Sequence, residues 1–570
     1  MSKQIPLASY LFTRLYQLNV RSIHGVPGDF NLTLLDFIAA SNLLWVGNTN
    51  ELNAGYAADA YGRMARLSAL ITTFGVGELS AMNAIAGAYA ERSPVVHIVG
   101  APDRAMQDAR VRVHHTFNDG EFGRFKEMYR HVSAAQADLK DEATAGREID
   151  RVLGVCVQES RPVYILIPAD MVGVLVDAER LDTPVERDWM SVTPHVSEAV
   201  GRVLDRMYAA KRPVILFDGE CRALRLTQDV QDIIRTTKWP TWTTSFGRGL
   251  IDESLPNFQG IYKGSFDTQT VRDVFATADL VLIFGPHFST TNSYGLTAIP
   301  SPAVSITFTN TKIAIGATYI RDVPAKPAVS LLLKRLLHSS SKLEPTPHPR
   351  EILNSLPWHQ SLPTALPAHS DDTTLTHATL WPLFRTFIRP GDILLGETGT
   401  AGYGVRELKT PPNVRIFSPA TWLSIGVMLP YAQGAALAYT VAILFIGDGR
   451  FQMTVQELSI IIRHSLNVVV VLLNNAGYTI ERAIHGVYAP YNDIASWNYL
   501  AAPAFFGAAA GTFTARAETR GSLRQILLDE DLRDGEGLRM VEVVLNKEDV
   551  PVGPLSDLMR KELERVRAGE

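Results

Sequence analysis

Cysteine is almost absent from this chain, with two cysteines among 570 residues, Cys156 and Cys221. Two cysteines are too few for the disulfide framework of a small secreted domain. Long apolar runs are also missing: the longest have the length of β-strands, so no segment is expected to span a membrane. The N-terminal segment has no secretory apolar core. These absences predict a cytoplasmic protein with no membrane partner.

Neither sign of charge is in large excess. The 54 Lys and Arg residues are set against 59 Asp and Glu, which gives a formal net charge of −5, and no basic run occurs. This balance argues against a nucleic-acid partner. The apolar fraction of 46% is typical of a globular protein. The length allows three or four domains, each with a core of its own.

Strand-like apolar segments alternate with helical ones in three successive blocks. The blocks are residues 1–185, 195–340 and 371–570, and the stretch 341–370, rich in Pro, Ser and His, indicates a linker. Alternation of strands and helices is typical of parallel sheets covered by helices. The sequence therefore predicts an α/β protein of three consecutive domains, each with a mostly parallel sheet flanked by helices.

Two short motifs lie in the third block. Residues 447–449 are Gly-Asp-Gly and residues 474–475 are Asn-Asn, each directly after an apolar run, with a helical pattern between them. This order predicts a right-handed βαβ unit, which brings both strand ends to one edge of a parallel sheet. Asp448 and Asn475 would then offer an anionic and a neutral oxygen beside a helix N-terminus. That arrangement suits a diphosphate held by Mg²⁺.

The pair of motifs resembles the signature of the thiamine diphosphate (ThDP) enzymes. Other segments resemble the pyruvate decarboxylase branch of that family, and they are residues 25–31, 50–59, 72–80, 114–116 and 477–481. The resemblance implies ThDP and Mg²⁺ as cofactors. It also implies non-oxidative decarboxylation of a 2-oxo acid to an aldehyde and CO₂, with pyruvate to acetaldehyde as the leading assignment. An aryl or indole 2-oxo acid stays open as the substrate.

The resemblance also implies how the domains are used. Residues 1–185 would form a pyrimidine-binding domain, 195–340 a middle domain and 371–570 a diphosphate-binding domain. In this family the first domain of one chain faces the third domain of another. A homodimer or homotetramer with active sites at the subunit interface is therefore expected.

Five polar residues are candidates for catalysis. Taken alone, Glu51 and Glu481 fit the first turn of a helix and Asp29 fits a turn. The adjacent His114 and His115 can both face one site only from a loop, because neighbours on a strand point to opposite sides. The resemblance implies that Glu51 hydrogen-bonds a ring nitrogen of the cofactor's aminopyrimidine. It implies that the other four relay protons around the substrate carboxylate.

The resemblance also assigns residues to the cofactor and the metal. The cofactor-binding candidates are Glu51, Thr398, Thr400, Leu423, Ser424, Ile425, Asp448, Gly449, Arg450, Asn475 and Ile480. The metal candidates are Asp448, Asn475 and Gly477. Among them, the carbonyl of Leu423 is expected to accept a bond from the aminopyrimidine amine, and Ile425 is expected to wedge beneath the cofactor.

Three features depart from the family pattern. Leu423 stands where the family usually has Gly, and its Cβ is expected to crowd the cofactor ring. Arg450 stands where the family often has a small residue, and its side chain has two possible directions, toward phosphate or toward solvent. The helix through residues 431–438 meets the strand at Val441 almost directly, a connector short enough to displace Asp448. These departures keep open a non-catalytic structural or regulatory relative with the same fold.

Overall fold

The computed structural model describes residues 4–185, 191–343, 372–439 and 441–568. Within these ranges the chain forms three large sheets, each flanked by helices, so the predicted fold class is confirmed. The predicted linker lies outside the described residues from position 344 onward, and the domain limits stay predictions. No helix in the described part of the chain is both long and apolar enough to cross a membrane.

The first sheet has six parallel strands in the order β3-β2-β4-β5-β7-β6. Strands β1 and β8 pair separately as a short antiparallel ribbon. The strands are β1 Gln4–Pro6, β2 Ser22–Gly25, β3 Leu44–Trp45, β4 Ser68–Thr73, β5 Val95–Ala101, β6 Gln136–Asp138, β7 Val163–Pro168 and β8 Leu175–Asp177. The helices are Leu7–Gln17, Leu32–Leu35, Glu51–Ala65, Val76–Ala90, Arg104–Asp108, Arg124–Tyr129 and Ala145–Glu159.

The second sheet has seven strands in the order β11-β10-β9-β12-β13-β14-β15, and its last two strands are antiparallel at one edge. The strands are β9 Pro213–Phe217, β10 Thr241–Thr243, β11 Phe258–Ile261, β12 Leu280–Phe284, β13 Ser305–Phe308, β14 Lys312–Ile315 and β15 Thr318–Arg321. The helices are Pro194–Ala209, Glu220–Ala223, Thr227–Thr237, Gln269–Thr277 and Ala325–Ser339.

The third sheet has six parallel strands in the order β17-β16-β18-β19-β21-β20. The strands are β16 Ile393–Gly396, β17 Arg415–Phe417, β18 Ala442–Gly447, β19 Val468–Asn474, β20 Thr514–Ala517 and β21 Leu538–Val544. The helices are His377–Phe387, Thr400–Glu407, Met428–Ala438, Asp448–Thr454, Leu458–Arg463, Thr479–Ile484, Ala502–Phe505, Arg520–Leu527, Glu530–Asp534 and Pro554–Arg567.

The short connector before β18 does not displace the strand. The preceding helix ends at Ala438, and Tyr439 is already extended with φ −143°. Strand β18 pairs in continuous register with β19, and Gly447 lies opposite Leu473. The expected shift of Asp448 relative to the neighbouring strand is therefore absent: the helix ends at Ala438 and the chain is extended at once at Tyr439.

The first and third domains of one chain pack directly on each other. The helix Glu51–Ala65 lies against Met428–Ala438, and Gly434 permits close approach because a Cβ there would overlap the carbonyl of Ala57. Beside this contact the buried carboxylate of Glu457 accepts bonds from Asn48 Nδ2 at 2.7 Å and from the Thr49 hydroxyl at 3.1 Å.

Glu457→Gln is expected to change how stability depends on pH. Burial raises the pKa of Glu457 from 4.5 to about 7. Protonation therefore stabilises the folded state below pH 4.5, and that stability is lost as pH rises to 7. The neutral variant should match wild type at pH 4.5 and exceed it at pH 8, by up to about 3 kcal/mol. Melting curves between these pH values would measure this.

Glu564→Gln serves as the control, because the Glu564 side chain is 58% exposed. Its melting temperature should follow that of wild type across the range. A Glu457→Gln protein that loses stability equally at both pH values would contradict the prediction.

Candidate cofactor and active site

Three oxygen atoms meet at the carboxyl edge of the third sheet, where β18 and β19 end. The side-chain oxygen of Asn475 lies 3.3 Å from Asp448 Oδ1 and 3.0 Å from the carbonyl oxygen of Gly477. The other Asp448 oxygen accepts from the Gly477 N–H at 3.0 Å, which fixes the carboxylate. The predicted neighbourhood of Asp448 and Asn475 is thus present, and it arises from the βαβ topology.

The chemistry of this cluster fits a divalent cation. An amide rotated by 180° would donate to both neighbouring oxygens. In the present orientation three acceptors face one another with no donor between them, which is an environment suited to a cation. A carboxylate, an amide oxygen and a backbone carbonyl are ligands that Mg²⁺ accepts, with phosphate and water completing its octahedron. Burial raises the pKa of Asp448 from 3.8 to about 6.

The loop after β16 borders the same edge. Thr398 and Thr400 flank Gly399, which has φ 102° and precedes the helix Thr400–Glu407. The Thr398 hydroxyl is buried and has no hydrogen-bond partner among the described residues. The guanidinium of Arg450 lies over Gly399, so of the two directions expected for this side chain the structure shows the buried one.

Gly449 and Ile480 are close in the chain to residues of the oxygen cluster: Gly449 directly follows Asp448, and Ile480 is three residues after Gly477. Gly449 is buried, and a Cβ at this position would lie 2.7 Å from the ring of Tyr478. Ile480 is half-buried in the first turn of the helix Thr479–Ile484. The absence of a side chain at Gly449 therefore leaves room for the Tyr478 ring.

Residues 423–425 lie where the third domain meets the first domain of the same chain. The Ser424 hydroxyl is 2.6 Å from the hydroxyl of Tyr56 and accepts from Asn83 Nδ2 at 3.1 Å. Ile425 is half-buried. The Ser424 side chain is therefore occupied by a domain contact, which leaves its backbone as the part free for a ligand.

Leu423 adopts a left-handed backbone, with φ 57°. This conformation costs a residue with a Cβ roughly 1–2 kcal/mol, and glycine adopts it freely. The glycine that the family pattern has at this position therefore matches the observed backbone. The chain therefore bears the strain of a leucine in a backbone conformation that glycine adopts freely.

Substitutions at Leu423 should show this strain. Leu423→Gly should leave the melting temperature of the cofactor-free protein unchanged or raise it, because relief of the strain offsets the higher entropy of the unfolded chain. Leu423→Val should lower it, with a cost of about 1 kcal/mol or more, because a β-branched residue tolerates positive φ poorly.

The matched control is Leu337→Gly on the helix Ala325–Ser339, where the leucine is 58% exposed. Glycine in a helix costs about 1 kcal/mol, so this variant should melt earlier. Equal destabilisation of Leu423→Gly and Leu337→Gly would contradict the assignment of strain.

Glu51 begins the helix Glu51–Ala65, after the N-cap Asn50. Burial raises the pKa of its carboxyl above the ordinary value. A Cβ on Gly77 would lie 3.0 Å from a Glu51 oxygen, so this glycine leaves room for the carboxyl group. A half-buried carboxyl with a raised pKa keeps its proton to higher pH than an exposed one.

Asp29, His114 and His115 form a cluster in the first domain. The His114 ring hydrogen-bonds the Asp29 carboxylate, and His115 Nε2 lies 3.6 Å from its other oxygen. The two histidines occupy a loop, as their adjacency predicts, and His115 has φ 62°. Phe30 stacks on the His114 ring at 5.0 Å. A carboxylate shared by two imidazoles is a suitable arrangement for proton transfer.

Glu481 lies apart from this cluster in a single chain. It is exposed in the first turn of Thr479–Ile484, and its charge acts on Arg450. Among the described residues no hydrogen bond or ion pair joins Glu481 to Asp29, His114 or His115. One chain thus presents two groups of candidate residues, one in each terminal domain.

Glu397 is a residue that sequence reasoning did not select. It is fully buried directly before Thr398, and burial raises its pKa to about 7. Its carboxylate accepts from the N–H groups of Thr398 at 2.8 Å and Met428 at 3.0 Å, so it ties the loop to the neighbouring helix. A Glu before Thr-Gly-Thr was the available signal, but its burial is visible only in the structure.

Comparison with known proteins follows the domain order of the chain. The N-terminal TPP-binding domain of thiamine pyrophosphate enzymes matches residues 5–123, the central domain matches 200–336, and the C-terminal TPP-binding domain matches 397–543. The chain is also 49% identical to a pyruvate decarboxylase of Aspergillus parasiticus, over 96% of each chain. The chain belongs to the pyruvate decarboxylase family.

Other members of the pyruvate decarboxylase family align over nearly the whole chain. The pyruvate decarboxylase of Aspergillus fumigatus is 38% identical, over 97% of this chain and 96% of its own. Pyruvate decarboxylase isozyme 1 of Saccharomyces cerevisiae is 37% identical, over 96% of this chain and 97% of its own. Members of this family are carboxy-lyases acting on 2-oxo acids, with ThDP as cofactor and Mg²⁺ as its usual partner metal.

Proposed function

We propose that this protein is a ThDP- and Mg²⁺-dependent 2-oxo acid decarboxylase that converts pyruvate to acetaldehyde and CO₂. The observation that carries the proposal is the cluster of Asp448, Asn475 and Gly477 oxygens. It is supported by 49% identity to a pyruvate decarboxylase. When bound, ThDP supplies a carbon nucleophile and an electron sink for loss of CO₂. The protein supplies binding, orientation and proton placement.

The third domain would hold the charged end of the cofactor. Asp448, Asn475 and the Gly477 carbonyl would ligate Mg²⁺. The candidates for contact with the diphosphate and the rings are Thr398, Thr400, Leu423, Ser424, Ile425, Gly449 and Ile480. Support for the diphosphate position comes from the unpartnered Thr398 hydroxyl, which is buried and available to donate.

Glu51 would hold a proton at a ring nitrogen of the aminopyrimidine. Its burial supports this role, because a desolvated carboxyl keeps its proton to higher pH than an exposed one. Gly77 supports it sterically by leaving space beside the Glu51 oxygen. Because Glu51 is the first residue of the helix Glu51–Ala65, its side chain projects from a rigid element of the first domain.

Asp29, His114, His115 and Glu481 would handle protons around the substrate. The two imidazoles, held by one carboxylate, can deliver and accept protons. The carboxylates of Asp29 and Glu481 would disfavour the charged 2-oxo acid relative to the less charged transition state for loss of CO₂.

We also propose that the active enzyme is at least a homodimer, with a homotetramer as the further possibility. Within one chain, no hydrogen bond or ion pair among the described residues joins Glu481 to Asp29, His114 or His115. Four large apolar side chains adjacent to these groups are exposed: Val76 at 53%, Trp422 at 45%, Met453 at 52% and Ile484 at 55%. A second chain that covers them would bring its own complementary group to each site.

The cytoplasm is the proposed location. Both cysteines are free and buried, and the fold uses no disulfide between them. Such cysteines suit a reducing compartment.

The test is aldehyde release by purified protein with saturating ThDP and Mg²⁺, measured in parallel with pyruvate, phenylpyruvate and indolepyruvate. Turnover of pyruvate at the highest kcat/KM is the expected result. Turnover of only the aryl substrates would replace pyruvate by the larger 2-oxo acids. Intact ThDP binding with no turnover of any of the three would point to the non-catalytic relative.

A further inference from the structure

The guanidinium of Arg450 has hydrogen-bond donors without an acceptor. The residue is 5% exposed, directly after the Gly-Asp-Gly motif. In the described part of the chain its guanidinium makes no hydrogen bond or ion pair, and its Nε is buried without an acceptor. Arg248, another buried arginine, differs in this respect, because its guanidinium forms an ion pair with Glu253 at 2.8 Å.

A guanidinium whose Nε is buried without an acceptor is costly to the folded protein. No hydrogen bond compensates for the loss of hydration at Nε. Arginine also keeps its charge in proteins, so the cost cannot be avoided by loss of a proton. The charges of Glu397, Asp448 and Glu481 favour the charged form of Arg450. None of the three forms an ion pair with it. The local charges thus reduce the cost without providing an acceptor for the guanidinium donors.

The side chain is nevertheless held in one place. An Nη of Arg450 would lie 2.9 Å from a Cβ on Gly399, so the guanidinium rests on the Thr-Gly-Thr loop. On another side the Tyr478 ring centroid lies 5.2 Å from Cζ, a cation–π contact. These two contacts orient the donors in advance of any ligand.

A second donor without a hydrogen bond belongs to the loop on which the guanidinium rests. The Thr398 hydroxyl, next to Gly399, is also buried without a partner. The acceptor cluster of Asp448, Asn475 and Gly477 adjoins the same region, since Asp448 is two residues from Arg450 in the chain. Such a site has oxygen atoms that can ligate a metal ion and hydrogen-bond donors that have no acceptor. It is therefore suited to an anion bound to a metal ion.

We propose that the Arg450 guanidinium, together with the Thr398 hydroxyl, donates hydrogen bonds to phosphate oxygens of the cofactor's diphosphate. The inference rests on the proposed function and adds to it a cationic contact where the family pattern has a small residue. A planar guanidinium can bind phosphate oxygens in a bidentate manner. The diphosphate charge is then balanced by a fixed side chain in addition to the metal.

The substrate carboxylate is the competing anion, because Glu481, a candidate near the substrate, acts electrostatically on Arg450. The contacts favour the diphosphate. The guanidinium rests on Gly399 and adjoins Asp448, both of them in the proposed diphosphate site.

The experiment measures the affinity for ThDP by calorimetric titration. Cofactor-free Arg450→Gln and cofactor-free wild-type protein are each titrated with ThDP at saturating Mg²⁺. Binding by the variant should be about 10- to 100-fold weaker, the range for a hydrogen bond to a charged group. Arg450→Lys should lose less, because the charge stays and the bidentate geometry is lost. Arg560→Gln, at a side chain 58% exposed on the C-terminal helix, should bind as wild type does.

A second measurement separates ligand binding from a structural role. The melting temperature of cofactor-free Arg450→Gln should equal or exceed that of wild type, because a charged group whose Nε is buried without an acceptor is removed. Arg450→Met, which keeps an apolar stem against Tyr478, should behave in the same way. A lower melting temperature in both variants would show that the guanidinium supports the fold, and would overturn the proposal.

Two further outcomes would also overturn it. Unchanged ThDP affinity in Arg450→Gln, with wild-type binding intact, would refute the contact while leaving the proposed function standing. A raised KM for pyruvate with unchanged ThDP affinity would assign Arg450 to the substrate carboxylate. Failure of the wild-type protein to bind ThDP would instead refute the proposed function itself.

Discussion

Glu51→Gln is expected to reduce aldehyde release from pyruvate by about 100-fold or more, the lower end of what positioned proton transfer contributes. Glutamine matches glutamate in shape and still fits beside Gly77, but it cannot give a proton to a ring nitrogen or take it back. The helix start should survive, because the N-cap is Asn50, whose side chain accepts from the N–H of Asn53. The measurement is kcat at saturating ThDP, Mg²⁺ and pyruvate.

The control for this variant is Glu127→Gln, at a side chain 63% exposed and in a surface ion pair with Arg130. Its kcat should equal that of wild type. ThDP binding by Glu51→Gln must be shown by calorimetry, so that a loss of rate is not a loss of cofactor. A variant that binds ThDP and keeps more than a tenth of the wild-type rate would exclude Glu51 from the proton transfer.

Asp448→Asn is expected to abolish stabilisation by the cofactor. Wild type at ThDP and Mg²⁺ concentrations of 100 times Kd should gain about 2.7 kcal/mol, seen as a higher melting temperature. The variant loses the anionic member of the oxygen cluster and should gain almost nothing at the same concentrations. Thermal melts with and without ThDP and Mg²⁺ measure the difference.

The cofactor-free Asp448→Asn protein should behave in the opposite way. The folded pKa of Asp448, about 6, lies above the ordinary 3.8. Stability from the protonated form is therefore present below pH 3.8 and lost as pH rises to 6. At pH 8 the neutral variant should be at least as stable as wild type. Asp557→Asn, at a side chain 55% exposed, is the control for both measurements. An undiminished response to ThDP and Mg²⁺ would exclude the three-oxygen cluster as the metal site.

Local pattern was sufficient to predict several parts of the candidate site. The apolar runs before Gly-Asp-Gly and Asn-Asn predicted neighbouring parallel strands, and β18 and β19 are adjacent in the third sheet. The adjacency of His114 and His115 required a loop, and both are in one. These predictions succeed because strand order in a βαβ unit and side-chain alternation follow from short stretches of chain.

Burial and pairing were not predictable in the same way. The direction of the Arg450 side chain depends on Gly399 and Tyr478, which are distant in sequence. The raised pKa of Glu457 depends on its burial against the first domain, where Asn48 and Thr49 contact it. The effect of the short connector depended on where the preceding helix ends. Each of these is set by contacts between segments far apart in the chain.

Periodicity predicted the α/β class, the quoted motifs carried the family resemblance, and the handedness of a βαβ crossover predicted that Asp448 meets Asn475. Three other features became visible only in the folded chain: the left-handed backbone of Leu423, the Nε of Arg450 buried without an acceptor, and the lack of a hydrogen bond or ion pair, among the described residues, between Glu481 and Asp29, His114 or His115. Strain, desolvation and distance belong to the packed molecule, because residues remote in sequence set them.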